Sequence, residues 1–148
     1  ETWSARLARF GTWSRADERY RALKFGLDLD RGLLAERLAV RVDAFFAADL
    51  PGEVEGLLAS GVPETANAFK GIGYREILRA RAEGRDPKSA RDAIVVATRQ
   101  YAKRQRTWFR KEPGLVWLDA ALGLDALAAT VVSAWNAARA QGGATSPC

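Results

Sequence analysis

Asp86-Pro-Lys-Ser-Ala-Arg-Asp-Ala-Ile-Val-Val-Ala-Thr-Arg-Gln-Tyr-Ala-Lys-Arg-Gln-Arg-Thr-Trp-Phe-Arg-Lys111 is the stretch that decides the fold class. An aspartate carboxylate accepts hydrogen bonds from first-turn N–H groups, and proline is already shaped for the first helical position. Asp86-Pro87 therefore opens a helix of about 24 residues, ending at Arg110 or Lys111 before Pro113-Gly114. Helical spacing also follows Asp30, a candidate N-cap: Leu34, Leu38, Val42, Phe45 and Phe46 make an apolar stripe that ends near Leu50-Pro51-Gly52. Shorter helices are expected from Glu53 to about Ser60, from Glu64 to Phe69 and from Tyr74 to Glu83. A last one is expected from about Leu124 to Ala140.

Only two stretches read as strands. Leu23, Phe25, Leu27 and Leu29 alternate with Lys24, Gly26 and Asp28, and Leu115-Val-Trp-Leu118 is the one candidate partner. A sheet made of so little is marginal, so the first strand reads as severed from a larger sheet. The first twenty residues mix Trp3, Phe10, Trp13 and Tyr20 with arginines and show no period. The expected architecture is mainly α, with one or two short strands: residues 1–141 form one unit and 142–148 a flexible tail. The chain opens on Glu1 rather than Met, which points to a fragment or a processed chain.

Composition removes several function classes. Histidine is absent and Cys148 is the sole cysteine among the 148 residues, so no Ser-His-Asp or Cys-His nucleophile, imidazole metal site, all-cysteine zinc site or internal disulfide can form. Such cysteine usage is compatible with a reducing, cytoplasmic setting. The longest uncharged run, Ala126 to Ala138, falls short of the roughly 20 residues that cross a bilayer, so no membrane partner is expected.

The net charge of +5 is unevenly placed. Lys70 to Lys111 carries 13 basic and 4 acidic residues, a surplus of +9 against −4 for the remainder. Arg99, Lys103, Arg106 and Arg110, at i, i+4, i+7 and i+11, fall in one helical ridge. Either the ridge lies along a phosphodiester backbone, or it is a solvated face. Ile94, Ala97, Tyr101 and Trp108 lie roughly opposite, which assigns Trp108 to the core. Arg37 and Arg41, one turn apart, could grip a phosphate between forked donors, or could be solvated or paired with Glu36 and Asp43.

At Lys70-Gly-Ile-Gly-Tyr-Arg-Glu76, at Thr98-Arg-Gln-Tyr-Ala-Lys-Arg-Gln-Arg-Thr-Trp-Phe-Arg110 and at Val116-Trp-Leu-Asp119, the sequence resembles the tRNA dimethylallyltransferases. Asp30-Arg31 with Arg37-Leu-Ala-Val-Arg-Val-Asp43 extends the likeness over about Arg21 to Ala120. Those enzymes transfer a dimethylallyl group from its diphosphate to N6 of the adenosine 3′ of the anticodon (tRNA position 37), with Mg2+. Their fold is a P-loop-type α/β core carrying a helical insertion.

The resemblance implies that Lys70, Gly71, Ile72, Gly73, Tyr74 and Arg75 contact the tRNA anticodon stem-loop. It implies the same for Thr98, Arg99, Gln100, Lys103, Arg104, Gln105 and Arg106, while Arg41 stabilises the diphosphate of dimethylallyl diphosphate; Arg37 is a phosphate candidate by its spacing to Arg41. No protein metal ligand is implied here. The family's phosphate loop ending Gly-Lys-Ser/Thr occurs nowhere in these residues. The chain thus reads as the C-terminal portion of such an enzyme, lacking the N-terminal P-loop half and inactive alone. The other reading is a noncatalytic helical RNA-binding or interaction module.

Overall fold

A computed structural model describes residues 22–142, together with Thr2 and Ser4. The aromatic residues Phe10, Trp13 and Tyr20 and the tail after Gly142 lie outside the described residues. Strand β1 (Lys24–Asp28) leads into α1 (Arg31–Ala47), α2 (Leu50–Ala59), α3 (Tyr74–Ala82) and α4 (Arg91–Phe109). Strand β2 (Leu115–Asp119) and α5 (Leu124–Gly142) complete the described chain, so the expected mainly α architecture with two short strands is the observed one.

β1 and β2 pair in parallel, from Lys24 opposite Leu115 to Asp28 opposite Asp119. Gly26 is required in that register: a Cβ there would meet the Trp117 ring at 2.9 Å. At one end Lys24 Nζ pairs with Glu112 at 2.6 Å, and at the other the Ala120 N–H donates to the Asp28 carbonyl at 2.7 Å.

The helix starts follow from local chemistry. Asp30 accepts from the N–H groups of Gly32 (2.8 Å) and Leu33 (3.1 Å), and those bonds, that from Leu33 foremost, hold its carboxyl below the usual range. Three expectations are corrected. Pro51 does not end a helix but sits in the first turn of α2, where its missing N–H is not needed, and Asp49 caps it from a left-handed φ of 60° by accepting from Gly52. The helix expected from Glu64 to Phe69 is absent; only a 3-10 turn, Asn67–Lys70, forms there, with no side-chain cap. Asp86 does cap its successor, accepting from Lys88, yet Pro87–Ala90 is a 3-10 turn and the α-helix begins at Arg91.

The core lies among α1 to α4. Val42, Val54, Phe69, Ile77, Ala80, Ala90, Ile94 and Val95 form one buried cluster. Tyr74 meets Phe69 edge-on and donates its hydroxyl to the Glu53 carboxylate, tying α3 to α2. None of the described side chains of α5 is buried.

The placement of Trp108 is corrected too: it is 50% exposed, and Tyr101 is similarly open. The reason is geometric. Four residues turn an α-helix by about 40° beyond a full circle, so an i, i+4 ridge winds around the axis. In α4 the covered line runs Ile94, Thr98, Ala102, Arg106, carrying burial away from the Ile94 meridian on which Trp108 lies.

Ile94→Ala should therefore lower unfolding free energy by about 2–5 kcal/mol in urea, whereas Val96→Ala on the exposed side of the same helix should stay within about 0.5 kcal/mol. The Tyr74 phenol sits above its ordinary value of 10.0, chiefly through the hydrogen bond to Glu53 and then through burial. A raised phenol adds stability that is complete below its ordinary value and lost as pH rises through the folded one. Glu53→Gln should bring the alkaline ultraviolet titration of Tyr74, isolated as the difference from Tyr74→Phe, back toward 10. An unmoved titration would refute this cause.

Candidate nucleic-acid interface

Cations and an apolar floor meet where α4 crosses α1. The groove between them has a volume of about 370 Å³, with Leu34, Ala35, Leu38 and Ala102 in its lining and Arg31, Arg99, Lys103, Arg106 and Arg110 around it. Among the described residues no carboxylate lines it. The periodicity of the sequence thus translates into one surface: all four ridge cations reach the same groove, and Arg31, at the start of α1, joins them from the facing helix.

These cations are held to different degrees. Arg99 Nη2 reaches the Ala35 carbonyl at 3.4 Å, a weak tie between the helices. Arg106 is anchored, its Nη2 donating to Asp28 Oδ2 at 2.9 Å, while its Nε is buried without a partner. Among the described residues Arg31, Lys103 and Arg110 make no ion pair. Like charges this close repel one another, so the groove is electrostatically unfinished until an anion enters.

On the outer side of α4, Gln100, Lys103, Arg104, Thr107, Trp108 and Lys111 border a second depression. Arg104 lies over the Tyr101 ring at 5.8 Å, and Trp108 and Phe109 meet edge-on at 4.9 Å. Thr98 turns its hydroxyl back to the Ile94 carbonyl at 2.8 Å, so it serves its own helix; Gln105 borders the cavity between α4 and the sheet.

The Lys70 block borders none of these cavities. Lys70 bonds the Asn67 side chain at 2.8 Å, and Arg75 pairs with Glu76 at 2.6 Å. Glu76 in turn accepts the Gly73 N–H at 2.8 Å, closing the first turn of α3. Gly73 is buried with φ 104°, a conformation that side chains other than hydrogen avoid, so local backbone geometry alone demands glycine there. Ile72 packs on the core, and Gly71 is exposed.

Arg37 and Arg41 are exposed on α1, and neither borders the groove. Arg41 lies over the Phe45 ring at 5.4 Å. Asp43, the carboxylate weighed as their partner, is engaged by Arg91 instead, at 2.7 and 2.9 Å, and this pairing holds its carboxyl below the usual range. A depression at the carboxyl ends of the strands, bordered by Asp28, Asp30, Asp119, Arg31 and Arg106, went unread in the sequence because it joins positions far apart in the chain. Among the described residues no group of three or more His, Cys, Asp or Glu could hold a metal ion. Among the described residues no helix is long and apolar enough to cross a membrane.

Known proteins are similar to this chain in sequence and in fold. The chain is 42% identical over 121 residues to a tRNA dimethylallyltransferase of Geobacter metallireducens, covering 82% of this chain and 39% of that protein. It is 48% identical over 96 residues to one of Corynebacterium urealyticum, covering 65% of this chain and 29% of that protein. It therefore spans well under half the length of these relatives. The crystal structure of tRNA delta(2)-isopentenylpyrophosphate transferase from Staphylococcus epidermidis superposes with a TM-score of 0.75 at 27% identity, over 92% of this chain and 43% of that one. The tRNA isopentenylpyrophosphate transferase of Bacillus halodurans gives 0.71 at 27% identity, over 78% and 38%. Residues 2–112 match the IPP transferase family, and the chain belongs to that family.

Proposed function

We propose that this chain is the RNA-holding portion of a cytoplasmic tRNA dimethylallyltransferase, and that the groove between α1 and α4 takes phosphates of the anticodon stem-loop. The observation that carries this reading is the meeting of Arg31, Arg99, Lys103, Arg106 and Arg110 on one groove that, among the described residues, no carboxylate lines. Phosphate contacts supply most of the affinity and the salt dependence of nucleic-acid binding, and arginine forks match phosphate oxygens.

In the transfer reaction N6 of the adenosine attacks the allylic carbon, the carbon–oxygen bond to the diphosphate breaks, pyrophosphate leaves, and N6 gives up a proton. The target base must come out of the loop to expose N6, so a wall that grips the flanking backbone is part of the chemistry. Lys70 to Arg75 and Thr98 to Arg106 are assigned to that wall. In the Lys70 block the exposed Lys70, Gly71 and Arg75 are the candidates for direct contact, while Gly73 and Ile72 set its shape. Arg41, with Arg37 one turn away, is assigned to the departing diphosphate. Mg2+ is assigned to substrate phosphates and to the P-loop half that these residues lack.

The chain should bind an anticodon stem-loop and leave it unprenylated. Its affinity should fall with salt, log K dropping by about 0.9 per phosphate neutralised on duplex and about 0.7 on single strand for each tenfold rise. Replacing Lys103 and Arg106 together by alanine should make that slope shallower by about one to two. A slope that these replacements leave untouched would reduce the ridge to a solvated face.

A further inference from the structure

We infer that Asp28, an acid beside a cationic surface, is a positioning residue for RNA: it fixes Arg106 so that this guanidinium meets a phosphate already oriented. The inference rests on the RNA reading above and deepens it.

Arg106 stands where two depressions touch. It borders the groove between α1 and α4 and also the depression at the carboxyl ends of β1 and β2, a position that among the described residues it shares only with Arg31. Its side chain is 24% exposed, so it is largely packed while still bordering both depressions. Of its three nitrogens, Nη2 is bonded to Asp28 at 2.9 Å and Nε is buried without a partner. Nη1 makes no hydrogen bond among the described residues, so it is the donor left for a ligand.

Asp28 is itself held. Its Oδ1 accepts the Leu29 N–H at 3.1 Å, and its carbonyl accepts the Ala120 N–H at 2.7 Å, so it belongs to the rigid end of the strand pair. A long flexible cation is thereby clamped to a fixed point 78 residues away in sequence. Clamping removes in advance the rotamer freedom that a free arginine loses on binding.

Two effects of removing Asp28 oppose each other in sign, which makes the inference decidable. Bulk electrostatics says that deleting a negative charge from the neighbourhood of a basic groove tightens RNA binding. Positioning says that it weakens binding, because Arg106 swings free. Ordering one long side chain costs a severalfold factor in affinity, and the inference takes this cost to outweigh the charge of a carboxylate already paired with Arg106.

The test is fluorescence anisotropy of a labelled anticodon stem-loop titrated with the chain and with Asp28→Ala, Asp28→Glu, Arg106→Ala and the Asp28→Ala/Arg106→Ala double variant, across a salt series. Asp28→Ala is expected to bind roughly 3- to 10-fold more weakly and to lose about 0.7–0.9 from the salt slope, with Asp28→Glu recovering much of both. The double variant should bind no worse than Arg106→Ala alone, since Asp28 acts through Arg106. Binding by Asp28→Ala as tight as or tighter than that of the unsubstituted chain overturns the inference. So does a weakening that keeps the full salt slope, which would mark a loosened strand. Failure of the unsubstituted chain to bind RNA at all overturns the RNA reading and this one with it.

Discussion

Everything in the described structure hangs on the parallel pairing of β1 with β2. Antiparallel neighbours can be joined by a tight turn, but parallel ones need a crossover that carries the chain back to the starting end. Here that crossover is the whole of residues 29–114, so α1 to α4 are a single long return between adjacent strands. Its two ends are pinned by charge, Lys24 to Glu112 at the amino end of the pair and Asp28 to Arg106 at the carboxyl end. The carboxyl ends of parallel strands are where ligands meet α/β sheets, and the pinning brings the cationic half of α4 to that end.

The winding of burial along α4 then decides what each side of the helix can do. In its first half Ile94 and Val95 are core residues; by Arg106 the covered line has turned toward α1 and the sheet. That turn half-buries one arginine, opens the groove where its neighbours on the ridge gather, and leaves Tyr101 and Trp108 outside. A straight stripe would have put Trp108 inside and all four cations in bulk water.

This explains which parts of the molecule were legible in the sequence. The ridge could be read because i, i+4 and i+7 spacing is local, and the strand partner could be read because so few candidates existed. Asp30 and Asp86 announced their caps. Pro51 misled because proline both breaks helices and suits their first turn, and only the Asp49 cap distinguishes the two cases. The direction in which burial winds along α4 is set by helices packed against it, which no local spacing encodes. The same holds for the Asp28–Arg106 and Arg91–Asp43 pairs, whose partners lie 78 and 48 residues apart.

Pairing also reshapes the charge that composition records. The surplus between Lys70 and Lys111 looks continuous in sequence, yet its first half is largely neutralised in the fold. Arg75 and Arg79 meet Glu76 and Glu83, Arg81 lies between Glu55 and Glu64, Arg85 shares Glu83, and Arg91 takes Asp43 and Asp92. Exposed pairs of this kind add little stability, but each cancels field at a distance. From Arg99 to Lys111 the only carboxylate partner among the described residues is Asp28, supplied from the strand. The uncompensated potential is therefore narrower than the sequence implies and sits on the half of α4 that borders the groove, where a polyanion would feel it most.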